Sequence, residues 1–383
     1  LQFFRVSNFK FSPASFLILG IYYLINEIMA ISLILMCVAV GILQTLSAPL
    51  DCGTTVQTEV IVVLGGNGKE GTLSSVELLD VNNESWTQLP PMTDARRRLG
   101  AVCINDTIYA FGNAFVQNGK YQISAEKFDL QDRTWTAIAE IPFNSYGIAA
   151  AYVDGEVYAV EDRFTLIYNR ALNKWQVIAN EGMDVAGNLP VIRKHIYACR
   201  WNQCKKFNTV TKQWSDIAQP NTHRYLAELV ALDHEIYAIG GLGLQMLALS
   251  DAEVYDPDQD TWREIAPLPT PRFHHSLAVA GGKIYAIGGQ DDAWRLQSSV
   301  LVYDPESDKW EEMAAQDSST NRSSFAAVTC RLDAEVGADT AVAAKTDKVG
   351  AAKAEVSESD AAADDADDDD IDDIDEDIED VEE

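Results

Sequence analysis

Short runs of alternating apolar and polar residues recur through the middle of the chain. Two examples are Lys283–Gly289 and Ser299–Asp304, which are rich in β-branched and aromatic side chains and are bounded by turn-forming residues. An alternation of period two places every second side chain on the same face of a strand. The pattern therefore predicts short strands in four-stranded meanders.

Six tryptophans divide this region into repeats of 39 to 49 residues, a period typical of propeller blades. An Asp or Asn stands six residues before each tryptophan. We expect it to open the turn between the third and fourth strands, because its short side chain can bond to the backbone two residues on. The tryptophan is expected to pack between adjacent blades. The six structural positions are Trp86, Trp135, Trp175, Trp214, Trp262 and Trp310.

Two further features mark several of the repeats. A glycine pair such as Gly240–Gly241 ends the second strand, where the absence of a Cβ allows positive φ or a close backbone approach. An arginine stands thirteen residues before the tyrosine of that strand, as Arg272 does before Tyr285. In repeats three and four the glycine pair is replaced by Glu161–Asp162 and Arg200–Trp201, and the arginine by Ser145 and Asp184.

The segment Val254–Trp262, followed by Arg272 and Ile284–Gly289, resembles the kelch repeat, particularly that of BTB–kelch (kelch-like) proteins. The resemblance covers roughly Glu59 to Arg331. It implies an all-β, six-bladed propeller in which a carboxy-terminal strand, Ser323–Thr329, completes the first blade and removes two exposed sheet edges. No BTB or BACK helices are predicted before the propeller.

The amino end carries an apolar run, Ile31–Leu43, that has the length of the core of a signal peptide. We interpret 1–28 as an untranslated or non-native extension, 29–47 as a signal peptide beginning at Met29, 48–58 as a linker and 59–331 as the propeller. No stable membrane span is expected after removal of the signal peptide. Two alternatives stay open: a signal anchor, if 1–28 is translated, and a cytoplasmic protein, if the apolar run is not native.

Acidic residues are concentrated at the carboxyl end. The net charge is -30, and 354–383 holds eighteen Asp or Glu and no Lys or Arg, which leaves about -12 for the rest. We interpret 332–383 as a disordered, solubilising tail. Alternatively, Ile371, Ile374, Ile378 and Val381 would align on one helical face against a basic partner, or the carboxylates would hold Ca²⁺ weakly. The absence of a basic stripe argues against a nucleic-acid partner.

No catalytic constellation is found in the sequence, so we predict neither an enzyme nor a bound cofactor. A nucleophile with its base, a paired acid and base, or clustered metal ligands would be needed. His274 and His275 fit structural roles better than ligation. A kelch-fold oxidase or lyase would require metal ligands that cannot be assembled here.

The cysteines divide into two pairs within the propeller. Cys199 and Cys204 flank a predicted hairpin tip and are expected to form a disulfide if the protein is secreted, or to stay free thiols in a cytosolic protein. Cys103 and Cys330 are expected to be buried free thiols. Cys37 would leave with the signal peptide. Predicted N-glycosylation sites in loops are Asn83, Asn105 and Asn321.

The resemblance also implies where a partner protein would bind. In BTB–kelch relatives this surface is formed by the turns after the second strand and before the first. Trp294–Arg295 and Trp201 are the preferred anchors, because Trp and Arg are enriched at binding hot spots; the alternative is that these side chains pack onto adjacent loops. The corresponding residues here are Arg98, Tyr146, Arg163, Trp201, Tyr225, His274, Trp294, Arg295 and Ser324.

Two functions follow from this interpretation. The first is a secreted, non-enzymatic propeller that binds a partner protein. The second is an intracellular substrate-recognition or actin-binding domain of a BTB–kelch-like ubiquitin-ligase adaptor, which the absence of predicted BTB and BACK helices disfavours.

Overall fold

The computed structural model describes residues 57–116, 120–143, 145–201, 203–314 and 321–332, and the side chains at 113–122 are left out of the description. The predicted signal peptide, most of the predicted linker, the acidic tail from 333 onward, Cys37 and Cys52 lie outside these residues. The described residues contain strands and turns and no helix. They form a six-bladed β-propeller, which confirms the predicted fold class.

Each blade is a sheet whose main strands pair antiparallel in chain order, as alternating short strands predict. Blade 1 begins with β1 (Thr58–Leu64), the hairpin of β2 (Asn67–Gly68) and β3 (Gly71–Thr72), β4 (Val76–Asp80) and β5 (Ser85–Leu89). Blade 2 contains β6 (Arg96–Ile104), β7 (Thr107–Val116), β8 (Lys120–Asp129) and β9 (Thr134–Ile138). Blade 3 contains β10 (Ala149–Val153), β11 (Glu156–Val160), β12 (Thr165–Asn169) and β13 (Lys174–Ala179).

The remaining blades follow the same plan. The short strand β14 (Gly187–Asn188) pairs in parallel with β10 and so extends the blade 3 sheet. Blade 4 contains β15 (Val191–Ile192), β16 (His195–Arg200), β17 (Gln203–Asn208) and β18 (Gln213–Asp216). Blade 5 contains β19 (Glu228–Leu232), β20 (Glu235–Ile239), β21 (Ala252–Asp256) and β22 (Thr261–Ile265). Blade 6 contains β23 (Ser276–Ala280), β24 (Lys283–Ile287), β25 (Val300–Asp304) and β26 (Lys309–Glu312), and the last strand is β27 (Ala326–Leu332).

Strand β27 closes the ring as predicted. It pairs antiparallel with β1, with Val328 opposite Val62, so blade 1 combines strands from both ends of the propeller. The expectation of free thiols at Cys103 and Cys330 is wrong. Closure places β27 beside β6, the Cα atoms of the two cysteines lie 5.4 Å apart, and their sulfur atoms form a disulfide.

The tryptophans pack between blades and also bond to them. Trp135 joins the apolar cluster formed by blades 1 and 2, and its Nε1 donates to the carbonyl of Pro90 at 2.8 Å. Trp262 and Trp310 donate in the same way to the preceding blade, at Ala218 and Ala266. Each of these tryptophans therefore contributes apolar area and one directional contact to a blade interface.

The Asp or Asn before each tryptophan accepts backbone hydrogen bonds from the turn that follows. The Asp256 carboxylate, for example, accepts from the N–H groups of Asp258 at 2.8 Å and Gln259 at 3.1 Å. A carboxylate or amide that caps its own turn fixes the hairpin between the third and fourth strands. The six acceptors are Asp80, Asp129, Asn169, Asn208, Asp256 and Asp304.

The repeated arginines are buried, and three of them pair with a glutamate of the third strand. Arg224 bonds to Glu253 at 2.6 Å and to the carbonyl of Gly240, the first residue of the glycine pair, at 3.1 Å. Arg96 pairs with Glu126 and Arg322 with Glu77 in the same way. Because a buried charge is costly without its partner, each of these three arginines is stabilised by its glutamate.

Blades 3 and 4 have other residues at both the arginine and the glutamate position of this pair. In blade 3, Ser145 and Leu166 occupy the arginine and glutamate positions, so this buried ion pair is absent there. In blade 4 the charges are reversed, with Asp184 at the arginine position and Arg200 at the glycine position, 3.0 Å apart. Blade 6 keeps its arginine but bonds it to Ser299, and burial lowers the pKa of Arg272 to about 10.

The innermost strands enclose a central channel, which Asn188 bridges. Its Nδ2 donates to the carbonyl of Ala327 in blade 1, and its Oδ1 accepts from the N–H of Ala101 in blade 2 at 3.2 Å. The Asn188 side chain thus links β14 to β27 and β6 and divides the channel. One part is a chamber of about 750 Å³ lined by all six innermost strands, and the other is a smaller cavity.

Candidate functional site

In a meander, successive connections lie at alternate ends of the sheet. We define the upper face as the connections after the second strand of each blade and before the first, such as 240–251 and 288–299. The lower face holds the other two turns of each blade, such as 81–84 and 105–106. All nine predicted partner-binding residues lie in upper-face connections or at their ends. Loops carried on a rigid sheet framework commonly hold recognition residues.

Four of the nine residues meet at the mouth of the channel. Arg98, Tyr225, His274 and Ser324 line one cavity of about 70 Å³. Arg98, His274 and Ser324 each have φ near +50°, which is uncommon for residues with a side chain. The Ser324 N–H donates to the His274 carbonyl at 2.9 Å, and the Arg98 N–H to the Ser324 carbonyl at 2.8 Å. These bonds tie three neighbouring blades together around the mouth.

The two histidines next to this cavity are uncharged at neutral pH. Burial lowers the pKa of His274 to about 3 and has the same effect on His275. The Nδ1 of His274 lies 3.2 Å from the Oε1 of Gln290 in the next upper-face loop. His274 therefore contributes shape and hydrogen bonding to the mouth rather than charge.

The tip of the blade 4 hairpin is held against blade 5. The rings of Trp201 and Tyr225 stack with centroids 4.8 Å apart and planes 6° apart, and the Arg200 guanidinium lies 5.6 Å from the Tyr225 ring. At the base of the tip, Cys199 and Cys204 stand directly opposite each other, with Cα atoms 4.1 Å apart, and form a disulfide. Trp201 is thus presented in one fixed position.

An apolar patch is exposed on blades 5 and 6. Trp294 packs edge-to-face on Phe273 at 4.9 Å yet stays 44% exposed. Leu244 is 70% exposed and Leu247 50% exposed in the adjacent upper-face loop. That loop is joined to the loop of Trp294 by a hydrogen bond of 2.6 Å from the Ala248 N–H to the Asp292 carboxylate. We call Leu244, Leu247 and Trp294 the apolar patch.

The remaining predicted residues have charged or aromatic neighbours on the same face. Arg295 bonds to Asp291 at 2.7 Å beside the apolar patch. The Arg98 guanidinium lies 4.1 Å from the centroid of the Tyr146 ring. Arg163 lies 3.6 Å from the carboxylate of Glu161, and burial together with Asp162 raises the pKa of Glu161 to about 7.

Sequence reasoning missed Leu244 and Leu247. Both stand in the Gly241–Leu249 loop, outside the alternating strands. Their exposure could have been predicted from two leucines in a loop between strands, because a loop on the surface offers apolar side chains little to pack against.

Two family models match the sequence. The KLHDC2/KLHL20/DRC7 Kelch-repeats domain matches residues 194–334, and the Kelch motif matches residues 48–93. The propeller is a kelch-repeat domain. The structure of YjhT shares the fold, with a TM-score of 0.55 and 12% identity over 66% of this chain and 96% of that chain.

Known kelch proteins match only parts of the chain. Mouse Kelch-like protein 7 is 30% identical over 30% of this chain and 20% of its own length. Kelch-like protein 25 of Xenopus tropicalis is 24% identical over 52% of this chain and 38% of its own. An F-box/kelch-repeat protein of Arabidopsis thaliana is 32% identical over 50% of this chain and 54% of its own length. The chain thus spans between about a fifth and about half of these relatives.

The predicted glycosylation sites lie on both faces of the kelch propeller. Asn83 and Asn105 are exposed in lower-face turns, whereas Asn321 is half-buried in an upper-face connection. Among the described residues, no three His, Cys, Asp or Glu side chains are grouped to hold a metal ion. The same ranges contain no helix that is long and apolar enough to cross a membrane.

Proposed function

We propose that this kelch propeller is a non-enzymatic binding module that recognises a partner protein through its upper face, with the apolar patch as the main contact. The exposure of Leu244, Leu247 and Trp294 on two hydrogen-bonded loops carries the proposal. Large apolar side chains grouped on a surface are typical of protein contacts, and a tryptophan at such a site is a frequent hot spot.

The loops of the apolar patch are already ordered by internal contacts. Gly243 donates to the Leu247 carbonyl at 3.0 Å, and Trp294 donates to the Asp291 carbonyl at 2.8 Å. A surface that is fixed before association loses less conformational entropy on binding. The face therefore suits recognition of a folded protein or a peptide without rearrangement of the propeller.

Trp294→Ala combined with Leu247→Ser is expected to lower partner recovery at least tenfold, because a hot-spot loss of 2 kcal/mol or more exceeds a tenfold change in affinity. Partner proteins are captured on the full-length chain and quantified by mass spectrometry.

The matched control uses exposed apolar residues of the lower face. Leu172→Ser combined with Val210→Ser removes side chains that are at least as exposed, and recovery should stay at the level of the unmodified chain. Equal losses in the two variants, or a loss only in the lower-face variant, would refute the apolar patch as the contact.

We also propose that the protein is secreted. Two disulfides favour an oxidising compartment, and exposed Asn83 and Asn105 on the lower face would carry glycans away from the apolar patch. We expect mature protein that begins near Ala48, with glycan masses on the Asn83 and Asn105 peptides. The intracellular alternative would be favoured if the chain starts at an unprocessed Met29, both asparagines are unmodified and the four cysteines are reduced.

A further inference from the structure

Glu228 lies at the upper mouth of the channel and has a cavity in front of it. It is the first residue of β19 and lines the 70 Å³ cavity together with Gly187, Tyr225 and Ser324. A Cβ atom at Gly187 would lie 2.8 Å from Oε1 of Glu228, so the carboxylate packs against the α-carbon of that glycine. The side chain is half-buried and borders the cavity.

The Glu228 carboxylate differs from the buried glutamates of the third strands. Glu77, Glu126 and Glu253 each pair with a buried arginine of their own blade. No residue in the described part of the chain donates a hydrogen bond to the Glu228 carboxylate or forms an ion pair with it. Burial, without an offsetting cation, raises the pKa of Glu228 well above its usual value. A desolvated carboxylate of this kind is expected to attract a cation.

The other charged groups around the cavity do not supply this cation. Arg200 is 3.0 Å from Asp184, which neutralises it. His274 is uncharged because its pKa is about 3. Arg98 belongs to blade 2, opposite blade 5 in the ring, and lies over the Tyr146 ring. Glu228 is therefore left without a counter-ion on the blade 5 side of the mouth.

We propose that this cavity receives one ammonium group of the bound partner, a lysine side chain or an amino terminus, with Glu228 as its counter-ion. The inference rests on the proposed function, because the ammonium belongs to the partner protein. A cavity of about 70 Å³ holds roughly a few waters or the end of one side chain, which suits an ammonium with its adjacent methylene groups. The Tyr225 ring and the Ser324 hydroxyl in the same wall can add a cation–π contact and a hydrogen bond.

The test uses a probe in place of the partner. The full-length chain is titrated with N-acetyl-lysine amide by calorimetry at low salt, and N-acetyl-norleucine amide serves as the uncharged control. We expect saturable binding of the lysine probe, at least tenfold weaker binding of the norleucine probe, and at least tenfold weaker lysine binding by Glu228→Gln. Glu264→Gln, an exposed position on β22, should bind as the unmodified chain does.

The outcomes separate the cavity from the apolar patch. No saturable binding of the lysine probe, or unchanged binding by Glu228→Gln, would overturn the ammonium site even if the partner is still captured through the apolar patch. Lysine binding that depends on Glu228, together with partner capture that ignores Trp294 and Leu247, would instead refute only the proposed function. A thermal unfolding curve of Glu228→Gln verifies that the variant is folded, and Glu228→Asp should keep part of the binding.

Discussion

Replacing Cys103 and Cys330 with alanine is expected to lower the free energy of unfolding by about 5 kcal/mol, because their disulfide closes a loop of 227 residues. The bond joins β27 to β6 and therefore holds the last strand of the propeller to its neighbour. Without it, the pairing with β1, packing and side-chain hydrogen bonds such as that from Thr329 to the Val279 carbonyl keep β27 in the ring. Guanidinium denaturation of the non-reduced chain and of the variant measures the difference.

The second disulfide provides the control. Cys199 and Cys204 are separated by only 5 residues, so removal of their bond is expected to cost about 2 kcal/mol. Dithiol reduction of the unmodified chain should reproduce the sum of the two losses. Equal effects of the two disulfides, or no effect of the Cys103–Cys330 bond, would show that it does not secure ring closure.

Arg224→Met is expected to destabilise the propeller by about 3–5 kcal/mol, the usual effect of breaking a buried ion pair. The change leaves Glu253 buried without a counter-ion and removes donors to the carbonyls of Gly240 and Asp251. Arg263→Met breaks an exposed pair with Glu235 and should cost less than about 1 kcal/mol. The measurement is chemical denaturation of both variants under identical conditions.

Blade 3 suggests a compensating change for the same site. Arg224→Ser combined with Glu253→Leu copies the residues at the blade 3 positions, Ser145 and Leu166. This double variant should be more stable than Arg224→Met, because no charge is left buried. If the double variant loses the sum of both single effects, the arginine and glutamate do not act as a pair.

The repeat made the fold predictable from sequence. Each tryptophan and the Asp or Asn before it has a local role, and the role recurs six times at nearly constant spacing. The resemblance to kelch repeats, which includes their glycines and arginines, also predicted that the last strand closes the ring. Features set by local geometry and repeated in every blade are visible in a single sequence.

Features that occur once and depend on distance across the ring were not predictable. The Cys103–Cys330 disulfide depends on a 5.4 Å approach of two strands, which the sequence does not specify. Asn188 reaches across the channel only because β14 pairs in parallel with β10 of blade 3. The cavity beside Glu228 likewise requires five blades to be placed together.

The sequence predicted where the nine candidate residues lie, but not all of the side chains that the upper face exposes. All nine residues lie on the upper face, as the kelch resemblance implies. Several of them also contact neighbouring loops, as Trp201 does with Tyr225, while Leu244 and Leu247 add the most exposed apolar area beside Trp294. Exposure depends on how a loop folds, and periodicity contains no information on that.

Photo-cross-linking tests most directly whether the upper face binds a protein. A photo-reactive phenylalanine analogue is placed at position 294 in one full-length chain and at position 210 in another. Each chain is then mixed with extracellular fluid or cell extract from the source organism and irradiated. We expect one protein to be cross-linked from position 294 and not from position 210. The same proteins cross-linked from both positions, or a specific product only from position 210, would contradict recognition through the upper face.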